Sequence, residues 1–220
     1  MISFKVVSLV TLLIVLSGVA GFFTYQSLTG EEPPRNWGVV ENPMPAPEIR
    51  LHDVAKEGEF LLSAQRGKVV LIFFGYTNCP DVCPLAMLMY REIHERIRGT
   101  PMEGKVETVF ITVDPYRDTP EALLKYARQY RTPATMLTGD LNELRSLAKI
   151  YGVPVEYYTT TGEKISEEVV RGLLARNENY LVGHGSFVYV VDRQGLLRGF
   201  FMIGTEIKEV LRIIEYVMRA

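Results

Sequence analysis

The chain has 220 residues, of which 24 are basic and 26 are acidic. This near balance of charge excludes the strongly basic surface typical of nucleic-acid-binding proteins, so no nucleic-acid partner is predicted. A hydrophobic content of 47% excludes a disordered chain and is typical of a globular core. Without its N-terminal segment the chain keeps roughly 170 residues, which suits one ordinary domain.

The N-terminal segment is apolar, and residues 6–30 contain no charged side chain. A helix of about 20 apolar residues crosses a bilayer core, so the run is long enough to span a membrane. Lys5 precedes it and two glutamates follow it, which predicts a single-pass anchor with its N-terminus inside the cell. A cleaved signal peptide is the alternative, because Gly18 and Ala20 offer small residues to a peptidase. Either alternative exports the domain, to the bacterial periplasm or the cell exterior.

A proline-rich segment follows, with five prolines between Pro33 and Pro47. Such segments are typical of extended linkers. We therefore predict a transmembrane anchor over residues 1–25, a proline-rich tether over residues 26–47 and a single domain over residues 48–220. The tether would hold the domain away from the membrane.

The domain alternates predicted strands and helices. Continuous apolar, β-rich runs at residues 68–76 and 106–114 predict strands buried on both faces. A hairpin is predicted at residues 185–204. Helical spacing of apolar residues predicts four helices, at residues 84–98, 119–130, 141–152 and 206–220. This is the element order of thioredoxin with one extra helix and an insertion near residues 157–180. We therefore predict an α/β, thioredoxin-like fold with a mixed central sheet flanked by helices.

Helix signals add detail to this prediction. Thr119 is the expected N-cap of the second helix, with Pro120 at its first position, and Gly152 is expected to end the third. In the first helix the apolar residues that we expect to face the core are Leu85, Leu88, Met89, Ile93 and Ile97.

The only two cysteines lie in the segment FFGYTNCPDVCP, at positions 79 and 83. The preceding strand is expected to end near Gly75, and a helix to begin at Pro80 or shortly after. Cys79 would then lie at the helix N-terminus, with Cys83 one turn further on the same face. Unpaired N–H groups and the positive helix end stabilise thiolates there, beyond the carboxyl end of a strand, where α/β proteins place their sites.

The cysteine pair has three interpretations: a structural disulfide, a redox-active dithiol or part of a metal site. Four helical positions separate two α-carbons by about 6 Å, near the upper limit that a disulfide accepts. So short a loop would constrain the unfolded chain little, which weakens the case for a structural disulfide. The spacing also allows both sulfurs to face one soft metal ion.

Histidines decide whether a metal site can be completed. His94 lies on a charged helix face and His52 follows the tether, so both are predicted to be surface residues. His184 stands immediately before a predicted strand, between Gly183 and Gly185, which leave its imidazole accessible. Two thiolates and one imidazole form a soft ligand set. It favours copper, as Cu(I) with Cu(II) left open, over structural zinc, which takes four ligands.

Two aspartates are candidates for a supporting role. Asp114 begins the segment DPYRDTP at the same sheet edge as the cysteines, so a supporting contact to the ligands is one interpretation. A purely structural one is also sufficient, because the segment turns the chain and Asp118 leads into a capped helix. Asp81 is ordinary in a first helical turn, but it could also oppose extra negative charge at the site.

Together the cysteine segment, DPYRDTP and the histidine before FVYVVD resemble the Sco/SenC family of membrane-anchored, thioredoxin-fold copper-binding factors in cytochrome c oxidase assembly. The resemblance covers the domain from roughly Pro45 onward and includes the anchor. It implies that Cys79, Cys83 and His184 are copper ligands. It also implies that the copper-accepting subunit of cytochrome c oxidase is the recipient, with other copper chaperones or thioredoxin-like reductases as further partners. Family members often have aspartate before and serine after the histidine, where this chain has glycines.

The predicted function is that of a membrane-tethered copper metallochaperone, a transfer protein rather than an enzyme with turnover. His184, flanked by glycines, is the ligand expected to release copper. The alternative is a thiol–disulfide oxidoreductase that reduces the recipient's cysteines before metallation, with Cys79 attacking and Cys83 resolving the mixed disulfide. That activity does not need His184, so the histidine favours copper. A thioredoxin-like peroxidase is a weaker third alternative, because no resolving cysteine exists outside the pair.

Overall fold

The structure, a computed structural model, describes residue 34 and residues 37–219. The predicted anchor at residues 1–25 and the first part of the predicted tether lie outside these residues. Within the described part of the chain, no helix combines the length and hydrophobicity that crossing a bilayer requires.

The described residues form strands and helices in an alternating order. The strands are β1 (Gly38–Pro45), β2 (Arg50–Asp53), β3 (Gly58–Leu61), β4 (Val69–Gly75), β5 (Val106–Thr112), β6 (Thr135–Thr138), β7 (Glu156–Tyr158), β8 (Lys164–Ile165), β9 (Leu181–Gly183), β10 (Phe187–Val191) and β11 (Leu196–Met202). The helices are α1 (Val82–Ile97), α2 (Pro120–Tyr130), α3 (Leu141–Ile150), α4 (Glu167–Ala175) and α5 (Ile207–Arg219). A short 3-10 helix occupies Leu62–Gln65.

Eight strands form one mixed sheet in the order β1-β11-β10-β4-β5-β6-β2-β3. The three strands β4, β5 and β6 are parallel to one another, while β10 runs antiparallel to β4. Every residue of β4 is buried, as expected for a central strand covered on both faces. Helices α2 and α5 pack against this sheet. The predicted mixed central sheet flanked by helices is confirmed.

Part of the predicted tether belongs to the sheet. Gly38–Pro45 forms the edge strand β1, which pairs antiparallel with β11. Prolines are tolerated there because an edge strand has one side without a pairing partner. Gly199 of β11 has to be glycine, because a Cβ at this position would collide with the carbonyl oxygen of Gly38.

Helix α1 begins at Val82, shortly after Pro80 as predicted, but its buried face differs from the prediction. Its N-cap is Asp81, so Cys79 lies in the preceding loop, because Pro80 disfavours helical dihedrals in the residue before it. Leu85 and Leu88 are 49% and 37% exposed, so the prediction that they face the core is wrong. Ile93 and Ile97 are buried as predicted. The rest of the buried face consists of residues outside the predicted apolar pattern: Cys83, Ala86, Met87 and Tyr90.

The other helix signals agree with the structure. The Thr119 hydroxyl accepts a hydrogen bond from the Ala122 N–H, with Pro120 in the first turn of α2. Gly152, which follows α3, has a φ of 70°. The predicted insertion contains α4 and a second sheet in the order β8-β7-β9. Strand β9 is an edge strand of this second sheet and ends directly before His184.

Candidate metal centre

Cys83 is the most deeply buried of the candidate ligands. It is the second residue of α1 and is 0% exposed. The backbone N–H of Tyr76 donates a hydrogen bond to its sulfur at 3.4 Å. Gly75, the last residue of β4, makes room for this sulfur, because a Cβ there would lie 2.8 Å from it. The central strand and the first turn of α1 therefore fix the Cys83 thiol.

Cys79 lies in the loop between β4 and α1 and is 8% exposed. Its N–H donates to the carbonyl oxygen of Tyr76 at 3.3 Å, and both cysteines are free thiols. A hydrogen bond from the Cys83 thiol, together with one from His184 and with the backbone N–H groups of Asp81 and Cys83, lowers the pKa of Cys79 to about 3 against the opposing effect of burial. Burial raises the pKa of Cys83 far above its usual range. The pair is therefore one thiolate beside one thiol.

The imidazole of His184 faces the cysteines. Its Nε2 atom lies 3.4 Å from the Cys83 sulfur, and its Nδ1 atom lies 2.9 Å from the carbonyl oxygen of Gly185. The Nε2 atom is therefore on the side of the ring that faces the sulfurs. The ring lies edge-on to Phe73 and Tyr76, with centroids 5.8 and 5.5 Å apart.

These three side chains offer ligand atoms that all lie within 4.8 Å of one another. Metal–sulfur and metal–nitrogen bonds of about 2.0–2.3 Å keep two ligands of one ion within roughly 4.6 Å of each other. The site therefore fits one ion with at most a small closing movement. In the described part of the chain, no other group of three histidine, cysteine or acidic side chains approaches this geometry.

Asp114 lies behind the site and touches neither sulfur nor imidazole in any contact that the structure shows. Its buried carboxylate accepts hydrogen bonds from the Arg117 Nε and the Tyr180 hydroxyl, both at 2.6 Å. Arg117 also donates to the Tyr180 carbonyl oxygen at 2.9 Å and stacks over its ring at 3.6 Å. This cluster holds the residue that precedes β9, four positions before His184.

Asp118 supports the loop between β4 and α1 that carries Cys79. The sequence pattern did not suggest this role, because the position of Asp118 just before a capped helix already explained the residue. Its buried carboxylate accepts hydrogen bonds from the Thr77 N–H at 3.1 Å, the Thr77 hydroxyl at 2.6 Å and the Thr112 hydroxyl at 2.7 Å. Burial raises its pKa to about 6. Asp81, in contrast, has an exposed side chain that makes no capping hydrogen bond.

The two remaining histidines lie away from the cysteines. His52 is exposed on β2, as predicted. His94 is partly buried, with its Nε2 atom 3.0 Å from the Thr108 hydroxyl, so the prediction of a solvated surface residue is wrong. Burial lowers the pKa of His94. His94 is buried because α1 packs onto the sheet and brings this side chain against Thr108 of β5.

A family model described as SCO1/SenC matches residues 54–219. The chain belongs to the SCO1/SenC family. Among its relatives, a SCO2-like protein of Rickettsia prowazekii is 29% identical over 163 residues, which are 74% of this chain and 72% of the relative. The family predicted from the cysteine, aspartate and histidine segments is therefore confirmed.

Solved structures of SCO1/SenC proteins resemble this fold. The apo Sco1 protein of Thermus thermophilus is 28% identical with a TM-score of 0.64, covering 82% of this chain and 96% of that protein. Copper-bound ScoI of Bradyrhizobium japonicum is 27% identical with a TM-score of 0.64, covering 80% of this chain and 100% of that protein. These likenesses confirm the predicted thioredoxin-like α/β fold of the SCO1/SenC chain.

Proposed function

We propose that this SCO1/SenC protein binds one copper ion through Cys79, Cys83 and His184 and passes it to another protein. The convergence of two sulfurs and one imidazole nitrogen within 4.8 Å carries the proposal. Such soft donors suit Cu(I), and imidazole also accommodates Cu(II). The copper-bound bacterial relative supports the same choice of metal.

The protonation states of the ligands describe how copper is taken up. A metal ligand has to be deprotonated, and Cys79 already is at neutral pH because of its lowered pKa. The His184 Nε2 atom lies 3.4 Å from the Cys83 sulfur, where it can join the sulfurs on one ion. Cys83 still carries its proton, because burial raises its pKa. Copper uptake therefore releases about one proton per ion, from Cys83 to solvent.

Three protein ligands leave a position on the ion for a ligand of the recipient. Cys83 is fully buried and held by the Tyr76 N–H, whereas His184 is only partly buried and follows an edge strand. The imidazole is therefore the ligand that leaves first when an incoming ligand replaces it. The recipient that we propose is the copper-accepting subunit of cytochrome c oxidase, met on the exported side of a membrane to which residues 1–25 anchor the chain.

A second candidate function is thiol–disulfide exchange, which one observation favours. The cysteines are unequal, because Cys79 is a slightly accessible thiolate and Cys83 is a buried thiol. An attacking thiolate beside a protected resolving thiol is the arrangement of dithiol reductases. In that reaction Cys79 attacks a disulfide of the recipient, Cys83 displaces the recipient's thiol, and a Cys79–Cys83 disulfide results.

Copper titration of the reduced full-length chain tests the proposal. We expect one ion per chain, release of about one proton and loss of tight binding in Cys79→Ser. Unchanged copper affinity in Cys79→Ser would contradict the proposed site.

A cellular assay separates the two functions. Copper delivery requires the imidazole, so His184→Ala should abolish oxidase assembly, and His52→Ala serves as its matched control. Normal assembly with His184→Ala, together with failure of Cys79→Ser, would instead favour the reductase function.

A further inference from the structure

Tyr76 contacts every part of the candidate metal centre. Its N–H donates to the Cys83 sulfur at 3.4 Å, and its carbonyl oxygen accepts from the Cys79 N–H at 3.3 Å. Its ring lies edge-on to the His184 imidazole. Its hydroxyl oxygen accepts a buried hydrogen bond from the Val182 N–H at 3.2 Å. Because Tyr76 directly follows the central strand β4, these contacts connect β9 and His184 to the most buried part of the sheet.

The hydrogen bond to Val182 replaces one that a strand would ordinarily make. Strand β9 pairs with β7 on one side only, since the order of the second sheet is β8-β7-β9. Val182 is almost wholly buried, and its N–H donates to the Tyr76 hydroxyl oxygen rather than to a neighbouring strand. A buried N–H without an acceptor is costly, so the tyrosine oxygen fixes this edge of β9.

We propose that the Tyr76 hydroxyl is a positioning group that holds β9 so that the His184 Nε2 atom faces the two sulfurs. His184 is two residues after Val182. Among the described residues, its imidazole contacts the two cysteines, the Gly185 carbonyl oxygen and the rings of Phe73 and Tyr76. Phenylalanine at position 76 would keep the ring and the backbone bonds to the cysteines. It would remove only the acceptor, so β9 would shift to give the Val182 N–H another partner. The inference rests on the proposed copper binding and adds to it the group, the Tyr76 hydroxyl, that orients His184 for coordination.

A double-mutant cycle on the full-length chain tests this role. Copper affinity is measured by competition with a Cu(I) chelator for the wild type, Tyr76→Phe, His184→Ala and the double variant. We expect Tyr76→Phe to weaken binding about 10- to 100-fold, the usual range for groups that orient a metal ligand. In the His184→Ala background it should have little further effect, because the ligand that it positions is gone.

Tyr151→Phe is the matched control. The Tyr151 hydroxyl is also part of a buried residue and also makes one backbone hydrogen bond, but to the carbonyl oxygen of Pro47. Its loss should leave copper affinity unchanged. In metal-free protein, hydrogen exchange of the Val182 amide should accelerate in Tyr76→Phe and not in Tyr151→Phe.

The outcomes separate the two proposals. Undiminished affinity in Tyr76→Phe, an equal loss in the His184→Ala background, or unchanged exchange at Val182 would overturn the positioning role while copper binding stands. Absence of copper binding in the wild type would overturn the proposed function, and the positioning role with it.

Discussion

Residues 76–83, the cysteine loop with the first two residues of α1, supply both cysteines, and residues 180–186, the histidine segment, supply the histidine. The cysteine loop connects the central strand β4 to helix α1, and backbone groups of Tyr76 bind both of its cysteines. The histidine segment includes an edge strand and depends on side chains of Tyr76, Asp114 and Arg117 from elsewhere in the chain. The dithiol is thus part of the core architecture, whereas the imidazole is adjustable. This difference suits a site that keeps its metal on two sulfurs and releases it through the third ligand.

The largest expected effect concerns the thiolate that the cysteine loop stabilises. Because the pKa of Cys79 is lowered from its ordinary value of 9.0 to about 3, the native chain should keep its alkylation rate down to mildly acidic pH. The chain unfolded in denaturant should lose about tenfold in rate for each pH unit below its thiol pKa. The measurement is the pH profile of alkylation in both states. Parallel profiles would show that the loop does not stabilise the thiolate.

Copper affinity should differ between variants of the two regions. Cys83→Ser removes one of only two thiols and should abolish tight binding, a loss well beyond about 100-fold. His184→Ala should weaken binding by roughly 10- to 100-fold or more, because the two sulfurs remain. It should leave the Cys79–Cys83 disulfide able to form and be reduced, as thiol titration under defined redox conditions would show. Equal losses in the two variants would contradict the unequal roles of the two regions.

The free energy of unfolding should depend on pH through Asp118, whose carboxylate binds the cysteine loop. Its pKa is raised from 3.8 to about 6, so between these values the folded chain binds more protons than the unfolded chain and loses stability as pH rises. Asp118→Asn lacks this titration. The free energy of unfolding of the variant relative to the wild type should therefore increase by roughly 2 kcal/mol from pH 4 to pH 6. Chemical denaturation across this range measures it, with Asp81→Asn as the exposed control. A difference that stays constant with pH would be inconsistent with a buried, titrating Asp118.

The smallest expected effects are the changes in stability when a glycine is replaced by alanine beside the cysteines and beside the histidine. Gly75→Ala places a Cβ 2.8 Å from the Cys83 sulfur and 2.7 Å from the Phe73 ring, so overpacking should cost about 1–3 kcal/mol. At Gly185 the nearest neighbour of a new Cβ is Phe187 at 3.8 Å, an ordinary contact, so Gly185→Ala should stay within about 0.5 kcal/mol. Thermal or chemical unfolding measures both, and a greater loss in Gly185→Ala would reverse the comparison.

Much of the fold was predictable because its signals are local. A continuous apolar run indicated β4, a threonine–proline pair marked the start of α2, and a glycine with positive φ followed α3. The candidate ligands were also recognisable from residue type and spacing. A prediction based on apolar residues alone failed for α1, where Cys83, Ala86 and Tyr90 take core positions and two leucines are exposed.

By itself the sequence determined the family, the order of the main elements and the three residues that offer soft ligand atoms. Only the tertiary structure decided how His184 reaches Cys83, because 101 positions separate them along the chain. It also decided that Asp118 accepts a hydrogen bond from Thr77 and that Asp114 accepts one from Tyr180. The hydrogen bond from the Val182 N–H of β9 to the Tyr76 hydroxyl oxygen is likewise a tertiary contact. Helix and strand patterns reflect interactions between residues a few positions apart. Contacts between distant segments depend on strand order and packing, which no local pattern contains.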